Sequence, residues 1–251
     1  MLVLPLPAIA DTFVLVHGAF QDGSSWSAVT EALKAAGHTA VAVTLPGRGD
    51  GRALGEVTMV DHVAAVTAAI DAVGAPVVLV GHSFGGMVIS ATAETAPDKI
   101  STLVYVAAYL PHDGQSMQDL AAVDHHNGFQ SDTFQVAADY SSATINPRDG
   151  SAIFANDADS TLATEIAAAL IPEPLQPIAT PATLSARFDG VRKAYVVTLR
   201  DKAVSTDLQL TMLGRGSVDE AIPFDSGHSP QRTKPAELAT ALIRAATPEL
   251  E

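Results

Sequence analysis

Short, unbroken apolar runs alternate with amphipathic stretches along most of this chain. Thr12-Phe-Val-Leu-Val16 is β-branched, of strand length, and reads as a buried strand. Ser24 or Ser25 can cap a helix running to about Ala36, with Trp26, Val29 and Leu33 at helical spacing and Gly37 as its stop. His38 to Val43 predicts a second strand, and Leu45 to Asp50 a Gly-rich loop. Thr58-Met-Val-Asp61 resembles a capping box and opens a helix ending near Gly74. Val77 to Val80 is a third strand, Phe84 to about Thr95 a helix stopped by Pro97, and Ile100 to Val106 a fourth strand.

The rhythm then breaks. Residues 109–185 carry short helical pieces, polar clusters and Pro147, Pro172, Pro174, Pro177 and Pro181, and predict no strand. A helical cap inserted over the sheet's edge is expected there. Alternation resumes with a strand over Ala194–Leu199, a helix from about Ser205 to Leu213 and a strand near Val218 to Ile222. A loop with His228 and a helix opened by Pro235 follow. The pattern predicts an α/β fold, a mostly parallel sheet flanked by helices, with 1–108 and 186–251 as core and 109–185 as insertion.

The 251 residues suffice for such a domain. The absence of cysteine excludes a disulfide framework, a thiolate metal site and a cysteine nucleophile. A formal charge of −14 repels phosphate backbones, so no nucleic-acid partner is expected. No apolar run is long enough to span a bilayer, so no membrane partner is expected either. Residues 1–10 are apolar and end in Ala8-Ile-Ala10, but lack a basic flank. They read as an arm into the first strand of a cytoplasmic protein; export is the alternative, if they are the remnant of a signal peptide.

The chemistry concentrates in Val77-Val-Leu-Val-Gly-His-Ser-Phe-Gly-Gly86. A G-x-S-x-G sequence between a buried strand and a helix places Ser83 on a sharp, strained turn with its hydroxyl exposed. A serine hydroxyl needs a base to take its proton, and the base needs an orienting carboxylate. His228 is the best base, because it alone of the eight histidines lies in a loop after the last strand. Asp201 follows the Ala194–Leu199 strand by two residues and is the best acid. Asp189 precedes that strand, Asp207 falls inside a helix, and Asp225 reads as a loop-shaping residue. The oxyanion donors are expected at the backbone amides of Phe84 and of Ala19, with Phe20 as the alternative to Ala19. Phe20, Met87, Tyr109, Leu110, Phe129, Phe134, Phe154 and Leu184 are candidates to line an apolar substrate pocket. Aromatic residues are scarce, and a small or medium acyl or alkoxy group is expected. Asp124-His-His126 reads as a solvated segment rather than a metal site, and the chemistry needs neither metal nor cofactor.

Val14-Leu-Val-His-Gly-Ala19, Val80-Gly-His-Ser-Phe-Gly-Gly86, Asp201 and Gly227-His228 together resemble the α/β-hydrolase fold family over nearly the whole chain. Within it, the chain is similar to the branch of small carboxylesterases, plant methyl-ester hydrolases and hydroxynitrile lyases. Thr198-Leu-Arg-Asp201 matches that branch's Thr-x-x-Asp segment. The resemblance implies Ser83 as nucleophile, His228 as base, Asp201 as orienting acid, and Ala19 and Phe84 as oxyanion donors. Gly18 and Ser229 replace the threonine and lysine of the lyases, which favours ester hydrolysis through an acyl-enzyme. A lactonase or amidase, a lyase-like member and a ligand receptor remain the alternatives. The expected partner is a small-molecule ester, and the chain is expected to be a monomer or homodimer.

Overall fold

In the computed structural model, residues 10–74, 76–130 and 132–247 are described, and the apolar residues 1–9 lie outside them. In chain order the strands are β1 (Thr12–Val16), β2 (Thr39–Val43), β3 (Val77–His82), β4 (Ile100–Val106), β5 (Phe134–Val136), β6 (Ser142–Ile145), β7 (Glu173–Pro174), β8 (Lys193–Thr198) and β9 (Glu220–Phe224). Six of them form a sheet in the order β2-β1-β3-β4-β8-β9, and every pair in it is parallel.

The period-2 alternation of the strands divides the core into two layers. Val14, Val16, Leu79, Tyr105 and Tyr195 face helices Met59–Val73, Gly85–Thr95 and Thr206–Arg215. Phe13, Leu15, Val78, Val80, Val104 and Val196 face helices Ser27–Ala35 and Pro235–Ala246. Burial on both faces explains why these strands read as continuous apolar runs. None of the described helices is long and apolar enough to cross a membrane.

Most boundaries follow the local chemistry. Thr58 and Asp61 form the reciprocal capping box. The first helix differs: Asp22, not Ser24 or Ser25, caps a 3₁₀ turn at Gly23–Trp26 by accepting from the Ser24 amide, and the α-helix starts at Ser27. The last strand runs to Phe224 rather than Ile222. It pairs only with β8, so the missing N–H of Pro223 costs no ladder bond.

Two expectations for residues 109–185 are corrected. β4 and β8 are inner neighbours, so the segment leaves from mid-sheet and not from an edge. The segment also holds an antiparallel sheet, β5-β6-β7, besides helices such as Met117–Ala122, Pro147–Phe154, Ser160–Ala168 and Leu175–Ala179. Its strands are two to four residues long, too short for a periodic signal.

Candidate active site

The sheet's order reverses between β1 and β3, and the loops after these two strands open side by side there. Ser83 directly follows β3 with a φ of 53°, the left-handed region that costs a non-glycine residue about 1–2 kcal/mol. Its backbone is pinned on both sides: its amide donates to the Val106 carbonyl, and its own carbonyl accepts from the Gly86 and Tyr109 amides. The turn is closed enough that a Cβ at Gly81 would lie 2.6 Å from the Gly85 carbonyl oxygen, and one at Gly85 would lie 2.8 Å from that of Val16. Both glycines are therefore dictated by close backbone approach.

Three side chains from three loops meet at this turn. Ser83 Oγ lies 3.0 Å from His228 Nε2, and His228 Nδ1 lies 2.9 Å from Asp201 Oδ2. All three are buried. Oδ2 of Asp201 also accepts from Thr198 Oγ1 and Gln209 Nε2, while Oδ1 accepts from the Ala203 and Val204 amides. A carboxylate so furnished is fixed in orientation and presents an acceptor to Nδ1–H of His228. That leaves Nε2 as the acceptor toward Ser83.

The backbone of His228 is held as well. His82, beside Ser83, lies with Nε2 2.7 Å from the His228 carbonyl oxygen, a bond in which the ring donates. Burial, with the nearby His228 ring second, pushes the His82 pKa well below the ordinary histidine value, so His82 stays neutral.

Among the described residues, no acceptor meets the amides of Ala19 or Phe84. The Phe20 amide, the alternative donor, is already engaged: it donates to Glu173 Oε2 at 2.6 Å. Phe20 has a φ of 61° and is held by this bond and by the Ile171 amide, which donates to its carbonyl. The same Glu173 oxygen accepts from Arg48 Nη2 at 2.6 Å, and Arg48 Nε donates to the Gln21 carbonyl. Arg48 and Glu173 are both fully enclosed.

Two further acids of the 109–185 segment reach the other loops. Asp157 Oδ2 accepts from Ser226 Oγ and Thr233 Oγ1, beside His228. Asp124 accepts from the amide and hydroxyl of Ser205, just past Asp201. The His126 amide also donates to Asp124 Oδ1 at 3.2 Å, while its ring turns to Asp207.

Residues 13–241 match the alpha/beta hydrolase family. Methyl jasmonate esterase 1 of Vitis vinifera is 30% identical over 250 residues, covering 92% of this chain and 94% of that protein. A solved structure of polyneuridine aldehyde esterase is similar with a TM-score of 0.82 at 26% identity, over 95% of this chain and 100% of that one. A pyrethroid hydrolase structure shares the fold, with a TM-score of 0.83 at 23% identity over 94% and 98% of the two chains.

The chain belongs to the alpha/beta hydrolase family. Within the family it stands in the esterase branch and is a carboxylesterase-type hydrolase.

In this hydrolase, Ser83, His228 and Ala19 border a cavity of about 210 Å³. Of the expected pocket residues, Phe20, Tyr109, Phe129, Phe134 and Phe154 line it. Met87 does not: it faces helix Met59–Val73 in a separate hollow. Leu110 does not either; its amide points at Met212 Sδ and its side chain lies over Gly216, both at helix Thr206–Arg215. Leu184 is also absent from the lining. Met117, Ala121, Asn127, Ala203 and Val204 line the cavity without having been anticipated. Ala203 and Val204 were within reach of sequence reasoning, being on the Asp201 loop. So was Glu173, a lone acid in the apolar Ile171-Pro-Glu-Pro-Leu175.

Scarcity of aromatics is offset by their placement. Four of the eight phenylalanines gather at this wall, with Phe129 and Phe134 centroids 4.8 Å apart and Phe154 edge-on to His228 at 5.6 Å. A Cβ at Gly18 would lie 2.8 Å from the Ser83 Cβ, so the threonine of the lyase-like pattern has no room here.

Proposed function

We propose that this hydrolase cleaves neutral carboxylic esters by two-step acyl transfer on Ser83. The observation that carries the reading is the continuous chain Ser83 Oγ, His228 Nε2 and Nδ1, Asp201 Oδ2, beside two unengaged amides. Ser83 Oγ attacks the ester carbonyl carbon while its proton passes to His228 Nε2. The carbonyl oxygen becomes negative and accepts from the Ala19 and Phe84 amides. Collapse breaks the bond to the alkoxy oxygen, which takes the proton from His228 and leaves as alcohol. Water then gives a proton to His228 and its oxygen to the acyl carbon. The second collapse frees the acid and returns the proton to Ser83. Asp201 keeps the imidazole in its orientation and stabilises the imidazolium in both halves.

Methyl jasmonate esterase is named for a methyl ester, which supports an ester of a carboxylic acid as substrate. The cavity's lining carries no lysine, arginine, aspartate or glutamate, which supports an uncharged one. Ser83→Ala is expected to lower kcat/KM toward p-nitrophenyl butyrate by about 10⁴-fold or more. An organophosphonate should add its mass to the Ser83 peptide of the parent protein and not to that of the variant. Parental turnover by Ser83→Ala would remove Ser83 as the nucleophile.

A further inference from the structure

The cavity at Ser83 is small and adjoins a second, larger hollow. Phe20, Met117, Ala121 and Phe134 line it and also line an open hollow of about 590 Å³. This hollow lies between the β5-β6 hairpin and helices Met117–Ala122 and Leu175–Ala179, with Val136, Tyr140, Leu175 and Ile178 on its far side. No charged residue lines it. Seven large hydrophobic residues are exposed among those described. Three of them, Phe134, Val136 and Tyr140 at 41%, 48% and 78%, sit in this one place. The hollow of about 370 Å³ beside Met87 is a useful contrast, for it shares no lining residue with the Ser83 cavity.

We infer that the hollow is an outer subsite, holding an elongated, uncharged, apolar arm of the ester while the ester carbonyl sits at Ser83. The inference rests on Ser83 being the reaction centre. Adjacency carries it: four side chains border both spaces, so a chain of methylenes or an aryl group that passes between Phe134 and Met117 goes from one into the other. Chemistry carries the rest. Each methylene that leaves water for an apolar wall gains about fourfold in kcat/KM, as long as the wall continues. A terminal charge would lose its water and find no partner. On this inference the small cavity does not set the upper limit of substrate size.

Two ester series test this with the intact chain. One lengthens the acyl group of p-nitrophenyl esters from acetate to dodecanoate; the other lengthens the alcohol of alkyl acetates. In one series kcat/KM should keep rising by about three- to fourfold per methylene beyond the butyl size, and the series that rises says which arm occupies the hollow. A terminal carboxylate on the long arm should cancel the gain. Val136→Asp and Ile178→Asp should each lower the long-to-short ratio of kcat/KM at least tenfold. Val136 is half exposed, so its variant reports on the hollow even if Ile178→Asp misfolds. Turnover of acetate with a flat or falling response in both series would overturn the subsite and leave the esterase reading intact. No turnover of any ester would instead overturn the Ser83 reading. A dimer in sedimentation that Val136→Asp abolishes, with flat ester series, would assign the hollow to a second copy and overturn the inference.

Discussion

Asp201 shows how much one side chain can determine. Its two oxygens receive five donors: His228 Nδ1, Thr198 Oγ1 and Gln209 Nε2 on one, and the Ala203 and Val204 amides on the other. In Asp201→Asn, the amide oxygen must take the place facing the two backbone amides, which can only donate. The NH₂ then faces His228 Nδ1 and makes that nitrogen the acceptor. Nε2 becomes N–H and, on the proposed mechanism, can no longer take the serine proton. A fall in kcat of about 10³–10⁴-fold with an intact fold is expected, and rate measurements beside a thermal melt check it. Glu173 acts one step further out, through the Phe20 amide on the donor turn. Glu173→Leu should lower kcat by about 10²-fold with little change in KM, because the donor matters most when the oxygen is charged. Glu173→Gln can keep one oxygen toward both Phe20 and Arg48 and should recover most of the rate. Equal losses in both variants, or a loss confined to KM, would contradict a positioning role.

At the scale of elements, the strand-turn-helix around Ser83 was legible because its constraints are local. An apolar β-branched strand, two glycines at fixed offsets and a following helix are all contained in residues 77–95. Gly81→Ala is expected to destabilise by about 1–3 kcal/mol, since its Cβ meets backbone and not a yielding side chain. Denaturant unfolding measures this, and a shift under about 0.5 kcal/mol would count against the close approach. His228 and Asp201 were also legible, through their place after later strands. The 109–185 segment was not, because its short strands pair over long separations: Phe134 with Ile145, and Ser142 with Pro174. Which phenylalanines meet at the cavity depends on contacts between distant stretches of the chain, and Met87 and Leu110 turn toward helices Met59–Val73 and Thr206–Arg215 instead.

At the scale of the whole molecule, buried histidines set the acid limit. Burial first, and the Arg48 charge second, hold the His17 pKa down to about 3 and that of His62 down to about 4. His82 is lowered as well, chiefly by burial. The unfolded chain takes up these protons near pH 6.5, where the folded one does not. The folded state therefore has their full contribution above pH 6.5 and loses it as pH falls toward 4 and then 3. Each group gives up to about 1.4 kcal/mol per pH unit. Calorimetry should show Tm falling steadily from pH 6 to pH 4; a constant Tm would refute the buried neutral state. The charge of −14 acts at longer range. Esters carrying a carboxylate should be turned over more slowly than neutral isosteres at low salt, with the gap narrowing as salt screens the field.

The three acids of the segment between β4 and β8 bear on how such a protein can be altered. Asp124, Asp157 and Glu173 each hold a different loop beside the proposed site, so the segment that lines the pocket would also brace the proposed machinery. On the proposed mechanism, substrate range and rate are then not separable modules in this chain. Grafting the segment from a relative would exchange both at once, unless these three carboxylates and their partners Ser205, Ser226 and Arg48 travel with it.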